Sequence, residues 1–258
     1  MRNLFGGRVE QCVTGAAPIA KEILEFFYAC GIPIYEGYGM TETSTAATGN
    51  RPAGYRFGSV GKPHDDVEVQ IAEDGEVLLR GPNIFKGYYK NDEATAEALV
   101  DGWLHTGDLG HLDEDGFLYI TGRKKDIIIT AGGKNITPAN IENGLKQNRW
   151  ISQAVVIGDR RPFLVALITI DPDEIPAFAE RHGLEPDAVI GSAELRAEVQ
   201  QAVDEVNSKV GPVEQVKRFA ILPHDLSQET GELTPTLKVK RNVVHEMYAD
   251  DIERLYTA

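Results

Sequence analysis

Apolar positions Ile19, Ile23, Leu24, Phe26 and Phe27 recur at helical spacing between Pro18 and Gly31. The pattern predicts a helix that Pro18 begins and Gly31 ends. A strand is expected before it over 8–14, and a second over 32–35. The second strand leads into Glu36-Gly37-Tyr38-Gly39-Met40-Thr41-Glu42, a stretch punctuated by glycine. Strand, helix, strand with a loop at the strand's carboxyl end is the geometry in which α/β proteins place ligands.

From about Gly58 to Gly122 the pattern changes to short strands of alternating polarity separated by acidic turns. Val67–Ile71 and Glu76–Arg80 flank Glu73-Asp74-Gly75, and Asp113-Glu114-Asp115-Gly116 separates Leu112 from Phe117. The latter lacks the later oxygen ligands of a calcium loop, so it reads as a hairpin turn. This stretch is expected to be a small β-rich subdomain, interrupted by one helix over 94–100.

Arg123-Lys124-Lys125-Asp126 is a charged junction between two β patterns. It divides the chain into residues 1–122, a linker at 123–126, and residues 127–258. After it come Ile127–Thr130, the pair Gly132-Gly133, and a helix with Thr137 as N-cap and Pro138 at its first position. Strands over 154–158, 164–170 and 219–222 and helices over 174–182, 193–209 and 241–256 complete an α+β domain. The fold class is therefore α/β followed by α+β.

Composition narrows the function. The chain of 258 residues is 42% hydrophobic, with 26 Lys plus Arg against 40 Asp plus Glu, a formal charge of -14. Such acidity repels phosphate backbones and anionic lipid, so no nucleic-acid or membrane role is expected. The longest apolar run, Phe163–Ile170, falls far short of the roughly 20 residues that span a bilayer. Cys12 and Cys30 are too far apart for a metal or redox motif, and both read as small core hydrophobes. With no secretory signal at Met1, a cytoplasmic setting is expected.

The sequence contains no G-x-x-x-x-G-K-[ST] loop, no strand-linked G-x-G-x-x-G, no H-E-x-x-H and no serine in a nucleophile elbow. His105 and His111 read as polar residues flanking a glycine-rich turn. Four segments instead join glycine to charged or polar groups where strands are expected to end. They are Thr14-Gly15-Ala16-Ala17-Pro18, Tyr38-Gly39-Met40-Thr41-Glu42, Trp103-Leu104-His105-Thr106-Gly107-Asp108, and Gly122–Asp126 continuing to Gly132-Gly133-Lys134-Asn135. Each alone is compatible with a solvated turn.

Taken in this order, the four segments resemble the later motifs of the adenylate-forming superfamily, over essentially the whole chain. The resemblance is closest to the long-chain fatty-acid–CoA ligases. These share a long helical insert like residues 172–213 and a carboxyl-terminal signature like Leu233-Thr234-Pro235-Thr236-Leu237-Lys238-Val239-Lys240-Arg241. It implies the carboxyl-terminal part of the large AMP-binding domain followed by a small mobile domain. The implied reaction has two steps. A carboxylate attacks the α-phosphate of ATP to give acyl-AMP and pyrophosphate, and coenzyme A then takes the acyl group and releases AMP.

By that resemblance, Tyr38 offers its ring to adenine, with Ala16, Ala17 and Pro18 beside the base and Gly39 and Met40 lining the nucleotide. Thr41 donates to a phosphate oxygen, and Glu42 is a hard oxygen ligand suited to Mg2+. Asp108, an acceptor when ionised, matches the ribose diol, and Arg123 adds a cation on the same sugar. Lys238 would bridge the incoming carboxylate and the α-phosphate, offsetting repulsion between two anions. Lys125 matches the hinge, since two steps on one site call for a rearrangement. Gly132 and Gly133 would line the path of the coenzyme A arm.

The chain departs from the family pattern in places. The family's Ser/Thr/Gly-rich phosphate loop has no counterpart before Thr14, so the chain reads as the later portion of a longer enzyme, inactive by itself, with exposed apolar surface around residues 8–50. Ala16 stands where relatives commonly carry glycine. Thr236-Leu237-Lys238 replaces the commoner Ser-Gly-Lys, which leaves Lys240 as a rival to Lys238. A fatty-acyl-AMP ligase that loads a carrier protein and a non-catalytic nucleotide-binding module are the alternative readings. Small molecules are the expected partners, with a homodimer possible.

Overall fold

The computed structural model describes residues 1–17 and 19–257, and contacts divide the chain into two units between Asp126 and Ile127. In the first unit the opening strand is shorter than expected. β1 covers Cys12–Thr14 and pairs in parallel with β2, Ile34–Tyr38. Between them α1 spans Lys21–Ala29; Ala20 is still extended at φ −65° and ψ 134°, so the helix opens at Lys21. The expected start at Pro18 lies outside the described residues. Gly31, at φ +72°, takes the left-handed conformation that lets the chain leave the helix. Antiparallel strands β3 (Thr48–Gly49) and β4 (Lys62–Pro63) extend this sheet in the order β1-β2-β3-β4. Leu24 is buried beneath α1, whereas Val13, Ile23, Phe26 and Tyr28 stay exposed.

The second sheet follows the β-rich pattern of the sequence. β5 (Glu68–Ile71) and β6 (Glu76–Arg80) form a hairpin. α2 (Asp92–Ala98) is capped by Asn91, whose side chain accepts the Ala94 N–H at 3.1 Å, two residues before the expected start. β7 (Leu99–Val100), β8 (Trp103–Leu112) and β9 (Leu118–Arg123) complete it, with β8 paired to β6, β7 and β9. Val77, Leu79, Leu104 and Leu118 form its core with Ala47. The acidic turn is a hairpin, as expected: Asp113 Oδ1 accepts the N–H groups of Asp115 and Phe117, and Arg56 bonds both Asp113 and Asp115.

One expectation fails here. Residues 103–108 do not end a strand, and His105 and His111 do not flank a turn; all lie on β8. Gly107, at φ +70°, sits where the β6–β8 register slips between the pairs Leu78↔His105 and Glu76↔Leu109. Its glycine character serves a bulge rather than a chain reversal.

In the second unit the apolar run over 163–170 has a direct explanation. β12 (Ile151–Ile157), β13 (Leu164–Ile170) and β14 (Val216–Ile221) form one sheet with β13 central, and every residue of β13 is buried. Leu164, Ala166, Ile168 and Ile170 enter one core, Val165 and Leu167 another. Successive side chains of a strand point to opposite faces, so a strand covered on both sides reads as continuously apolar. The first core is closed by α3 (Pro138–Leu145), α4 (Ile175–His182) and α5 (Ala193–Asn207), through Leu145, Phe178, Leu195 and Val199. The second is closed by α6 (Arg241–Met247) and α7 (Ala249–Thr257), through Val244 and Ile252. The single helix expected over 241–256 is thus two. Tyr248 leaves helical geometry at φ −109° and ψ 25°, and its hydroxyl bonds Glu232 Oε1 at 2.9 Å. A short hairpin, β10 (Ile128–Ile129) with β11 (Asn135–Ile136), precedes α3.

Candidate functional site

Three of the sequence-derived residues converge in the first unit. Tyr38 closes β2, Asp108 lies within β8, and Arg123 ends β9, directly opposite Asp108 in the ladder. The Tyr38 hydroxyl donates to Asp108 Oδ2 at 2.7 Å, and Arg123 Nε donates to Oδ1 at 3.0 Å. Asp108 is only 5% exposed, while the Arg123 side chain is 57% exposed. Burial, then the charge of Asp108, raises the Tyr38 phenol well above its ordinary range, so it stays a donor. Each carboxylate oxygen keeps a lone pair beyond these bonds, enough to accept further hydroxyls.

Beyond Tyr38 the chain turns sharply. Gly39 is required by crowding within its own loop: a Cβ there would lie 1.7 Å from the Thr45 carbonyl oxygen. Thr41–Thr43 form one 3-10 turn, held by Thr43 Oγ1, which accepts the Met40 N–H at 2.9 Å. Thr41 is exposed, and its hydroxyl has no bond among the described residues. The Glu42 carbonyl accepts the Phe85 N–H at 2.8 Å, and its carboxylate takes the Tyr88 hydroxyl at 2.7 Å through Oε1.

The segment after β1 answers differently. Ala16 and Ala17 are exposed, and Pro18 lies outside the described residues. Ala16 has φ +68°, a left-handed conformation that disfavours any side chain, which accounts for glycine being common there. A Cβ on Gly15 would meet the Gly37 carbonyl oxygen at 3.0 Å. Gly15 therefore allows the chain leaving β1 to pack closely against β2.

At the junction, Lys124 bonds Asp74 at 2.5 Å and Glu76 at 3.1 Å, with Glu76 also accepting the Gly107 N–H at 2.8 Å and facing His105 Nδ1 at 3.2 Å. Lys124 is thereby anchored to the first unit, and exposed Lys125 is the first residue past that anchor. In the second unit Gly132 and Gly133 form the exposed turn of the β10–β11 hairpin, where Gly133 adopts φ +77° and donates to the Thr130 carbonyl at 2.8 Å.

Lys238 occupies a tight loop. Leu233 bridges Val239, and Thr234 exchanges backbone bonds with Leu237 and Lys238 at 2.8 Å each. Leu237 has φ +59°, the conformation glycine would favour, and Lys238 follows it at the exposed tip. Lys240 is half-buried at the base, where its N–H donates to the Glu232 carbonyl at 2.7 Å. Burial disfavours a charged Glu232, yet hydrogen bonds from Thr230 and Tyr248 hold its carboxyl below the usual carboxylate range. The loop's far end is fixed by Arg241, which contacts Glu142 Oε1 at 2.8 Å and Oε2 at 2.6 Å, while Glu142 Oε1 accepts the Val156 N–H.

Several residues carry no obvious signal in the sequence. Tyr88 and Asn83, which grip the turn bearing Glu42, sit in an ordinary Gly/Pro/Tyr loop forty or more positions away. Glu36 does carry one: a lone carboxylate in the strand Ile34-Tyr35-Glu36-Gly37-Tyr38. It is 8% exposed, and its Oε2 has no partner among the described residues.

Residues 2–89 match the AMP-binding enzyme family, and residues 125–258 match the AMP-binding enzyme C-terminal domain. The chain belongs to this family, the adenylate-forming superfamily. It is 47% identical to the long-chain-fatty-acid–CoA ligase FadD15 of Mycobacterium tuberculosis, over 99% of this chain and 43% of that protein. It is 40% identical to the human long-chain-fatty-acid–CoA ligase ACSBG1, over 94% of this chain and 37% of that one. The chain thus spans less than half the length of these relatives. Among solved structures it resembles O-succinylbenzoate coenzyme A synthetase from Bacillus subtilis in complex with AMP, with a TM-score of 0.70 and 28% identity, over 90% of this chain and 45% of that one. The adenylation domain of a carboxylate reductase from Mycobacterium chelonae shares the fold at TM-score 0.80 and 23% identity, over 100% of this chain and 40% of that one.

Proposed function

We propose that this chain carries the nucleotide-gripping and lysine-bearing part of an ATP-dependent long-chain fatty-acid–CoA ligase. The observation that supports this best is the chain of bonds Tyr38–Asp108–Arg123, which joins an aromatic ring at the end of β2, a buried acceptor within β8 and an exposed guanidinium at the end of β9. An aromatic face suits adenine, and a carboxylate backed by a guanidinium suits a ribose diol. Thr41, with a free hydroxyl, is suited to a phosphate oxygen. Gly39 and Met40 shape the turn between ring and hydroxyl.

Glu42 is the residue that would hold Mg2+. Its carboxylate leaves Oε2 without a partner among the described residues, and Mg2+ commonly binds through one or two carboxylates plus phosphate. When bound, the ion offsets phosphate charge. The ammonium of Lys238 draws the fatty-acid carboxylate and the α-phosphate together and stabilises charge on the transferring group. Its exposed place after a left-handed residue favours it over half-buried Lys240. Rotation at Lys125, beyond the Lys124 anchor, would exchange this face for the one that admits coenzyme A, with Gly132 and Gly133 lining its arm. Coenzyme A and ATP are the proposed co-substrates.

ATP–pyrophosphate exchange and acyl-CoA formation, measured with a long-chain fatty acid in the full-length gene product, test this reading. Lys238→Ala should abolish exchange while Lys240→Ala retains most of it. Exchange unaffected by Lys238→Ala would remove the assignment. Adenylate formed without consumption of coenzyme A would favour a carrier-protein acceptor.

A further inference from the structure

Glu42 does not stand alone. The loop over 81–88 holds it from two sides: the Phe85 N–H bonds its carbonyl at 2.8 Å, and the Tyr88 hydroxyl bonds its carboxylate at 2.7 Å. The same loop grips the rest of the turn. Asn83 Nδ2 donates to the Thr43 carbonyl at 3.2 Å, and the Ser44 hydroxyl donates to the Asn83 carbonyl at 2.9 Å.

Tyr88 is itself fixed. Its ring packs edge-on against Phe85 with centroids 4.8 Å apart. Its N–H donates to Thr95 Oγ1 at 2.9 Å, and that hydroxyl donates to the Asn91 carbonyl at 2.8 Å, tying the loop to the first turn of α2. Gly87, at φ +142°, permits this approach, since a Cβ there would lie 2.6 Å from Thr95 Cγ2. A rigid element therefore stands behind a single hydrogen bond to Glu42.

That bond has a particular chemistry. A phenol is neutral, so it orients the carboxylate without competing for the cation as an ammonium or guanidinium would. It occupies one lone pair of Oε1 and leaves the rest of the carboxylate available. Partners that orient a metal-binding carboxylate commonly affect metal affinity by about tenfold or more when removed.

We propose that Tyr88 is a positioning residue for the divalent cation, holding the Glu42 carboxylate in the orientation that receives Mg2+ with ATP. The proposal rests on the reading of Glu42 as the Mg2+ ligand, and the experiment separates the two. ATP affinity of the purified full-length gene product is measured by titration calorimetry with excess MgCl2 and again with EDTA, for wild type, Tyr88→Phe and Glu42→Gln. The quantity of interest is the gain in affinity on adding Mg2+. Tyr88→Phe keeps the ring and its contact with Phe85, so it should leave affinity in EDTA unchanged and reduce the gain by about tenfold. Glu42→Gln should reduce the gain at least as much. If Glu42→Gln loses the gain but Tyr88→Phe keeps it, the positioning role is overturned while the metal reading stands. If Glu42→Gln keeps the wild-type gain, the metal reading fails and the proposal falls with it. Equal loss of affinity by Tyr88→Phe with and without Mg2+ also overturns it, since a merely structural role predicts that.

Discussion

Tyr38 and Asp108, 70 positions apart, are joined by a hydrogen bond of 2.7 Å that fastens the end of β2 to the middle of β8. The bond links the two sheets of the first unit at the point where the nucleotide is proposed to sit. It also fixes the side of the tyrosine ring that remains for stacking, because the hydroxyl is held by a buried carboxylate.

Replacing Asp108 by Asn should therefore damage binding in two ways. The amide offers one oxygen in place of two, and its NH2 group confronts the donors of Tyr38 or Arg123. Hydrogen bonds to a charged group contribute about 1.5–3 kcal/mol, so AMP affinity by titration calorimetry should fall by roughly tenfold to a hundredfold. Tyr38→Phe keeps the ring and should cost less, roughly threefold to tenfold. Unchanged AMP affinity in Asp108→Asn would exclude the carboxylate from the nucleotide site.

Glu36 sets up a pH dependence of stability. Burial pushes the carboxyl up to about 7, with the Gly58 backbone opposing the shift, and Oε2 has no partner among the described residues. The cations on the neighbouring loop are engaged elsewhere: Arg56 with Asp113 and Asp115, Arg51 with His64 and, at 4.0 Å, Asp65. Between the ordinary value of 4.5 and about 7, the folded protein holds a proton that the unfolded chain has released. Stability should therefore decline as pH rises through this window. Glu36→Gln removes the titration and should be more stable than wild type at pH 8 by of order 2 kcal/mol, with little difference at pH 4. Denaturant midpoints across this range test the sign. A variant less stable at pH 8 than at pH 4, relative to wild type, contradicts it.

The sequence makes local order plain and leaves long-range partners hidden. The run over 163–170 announces a strand because burial on both faces leaves one polar position, Thr169, whose hydroxyl is satisfied by Asp225. Thr137-Pro138 marks a helix start, and Gly31 marks a helix end, through backbone chemistry that acts within a turn. The Asp108 carboxylate and the Tyr38 ring are legible as residue types, but their mutual bond depends on how β2 and β8 are brought together. His105 and His111 were misplaced because Gly107 marks a bulge as readily as a turn. Tyr88 was invisible for a related reason: a tyrosine after glycine gives no hint that its hydroxyl meets a carboxylate 46 positions earlier.

Leu237 offers a test of the lysine loop that does not touch the lysine. It is 63% exposed and sits at φ +59°, so it pays the left-handed penalty without burying its side chain. That penalty is about 1–2 kcal/mol for a residue with a Cβ, partly offset by the greater freedom of glycine in the unfolded chain. Leu237→Gly should therefore stabilise the protein by about 0.5–1 kcal/mol and retain the bonds from Thr234 to residues 237 and 238. Because those bonds place Lys238, the adenylation half-reaction should survive the change. Leu237→Pro, whose ring fixes φ near −65° and removes the N–H donated to Thr234, should break the loop and suppress the half-reaction while leaving AMP binding intact. Thermal melting with ATP–pyrophosphate exchange in the full-length gene product reads both effects. Full exchange activity in Leu237→Pro would show that the geometry of this loop does not govern the lysine.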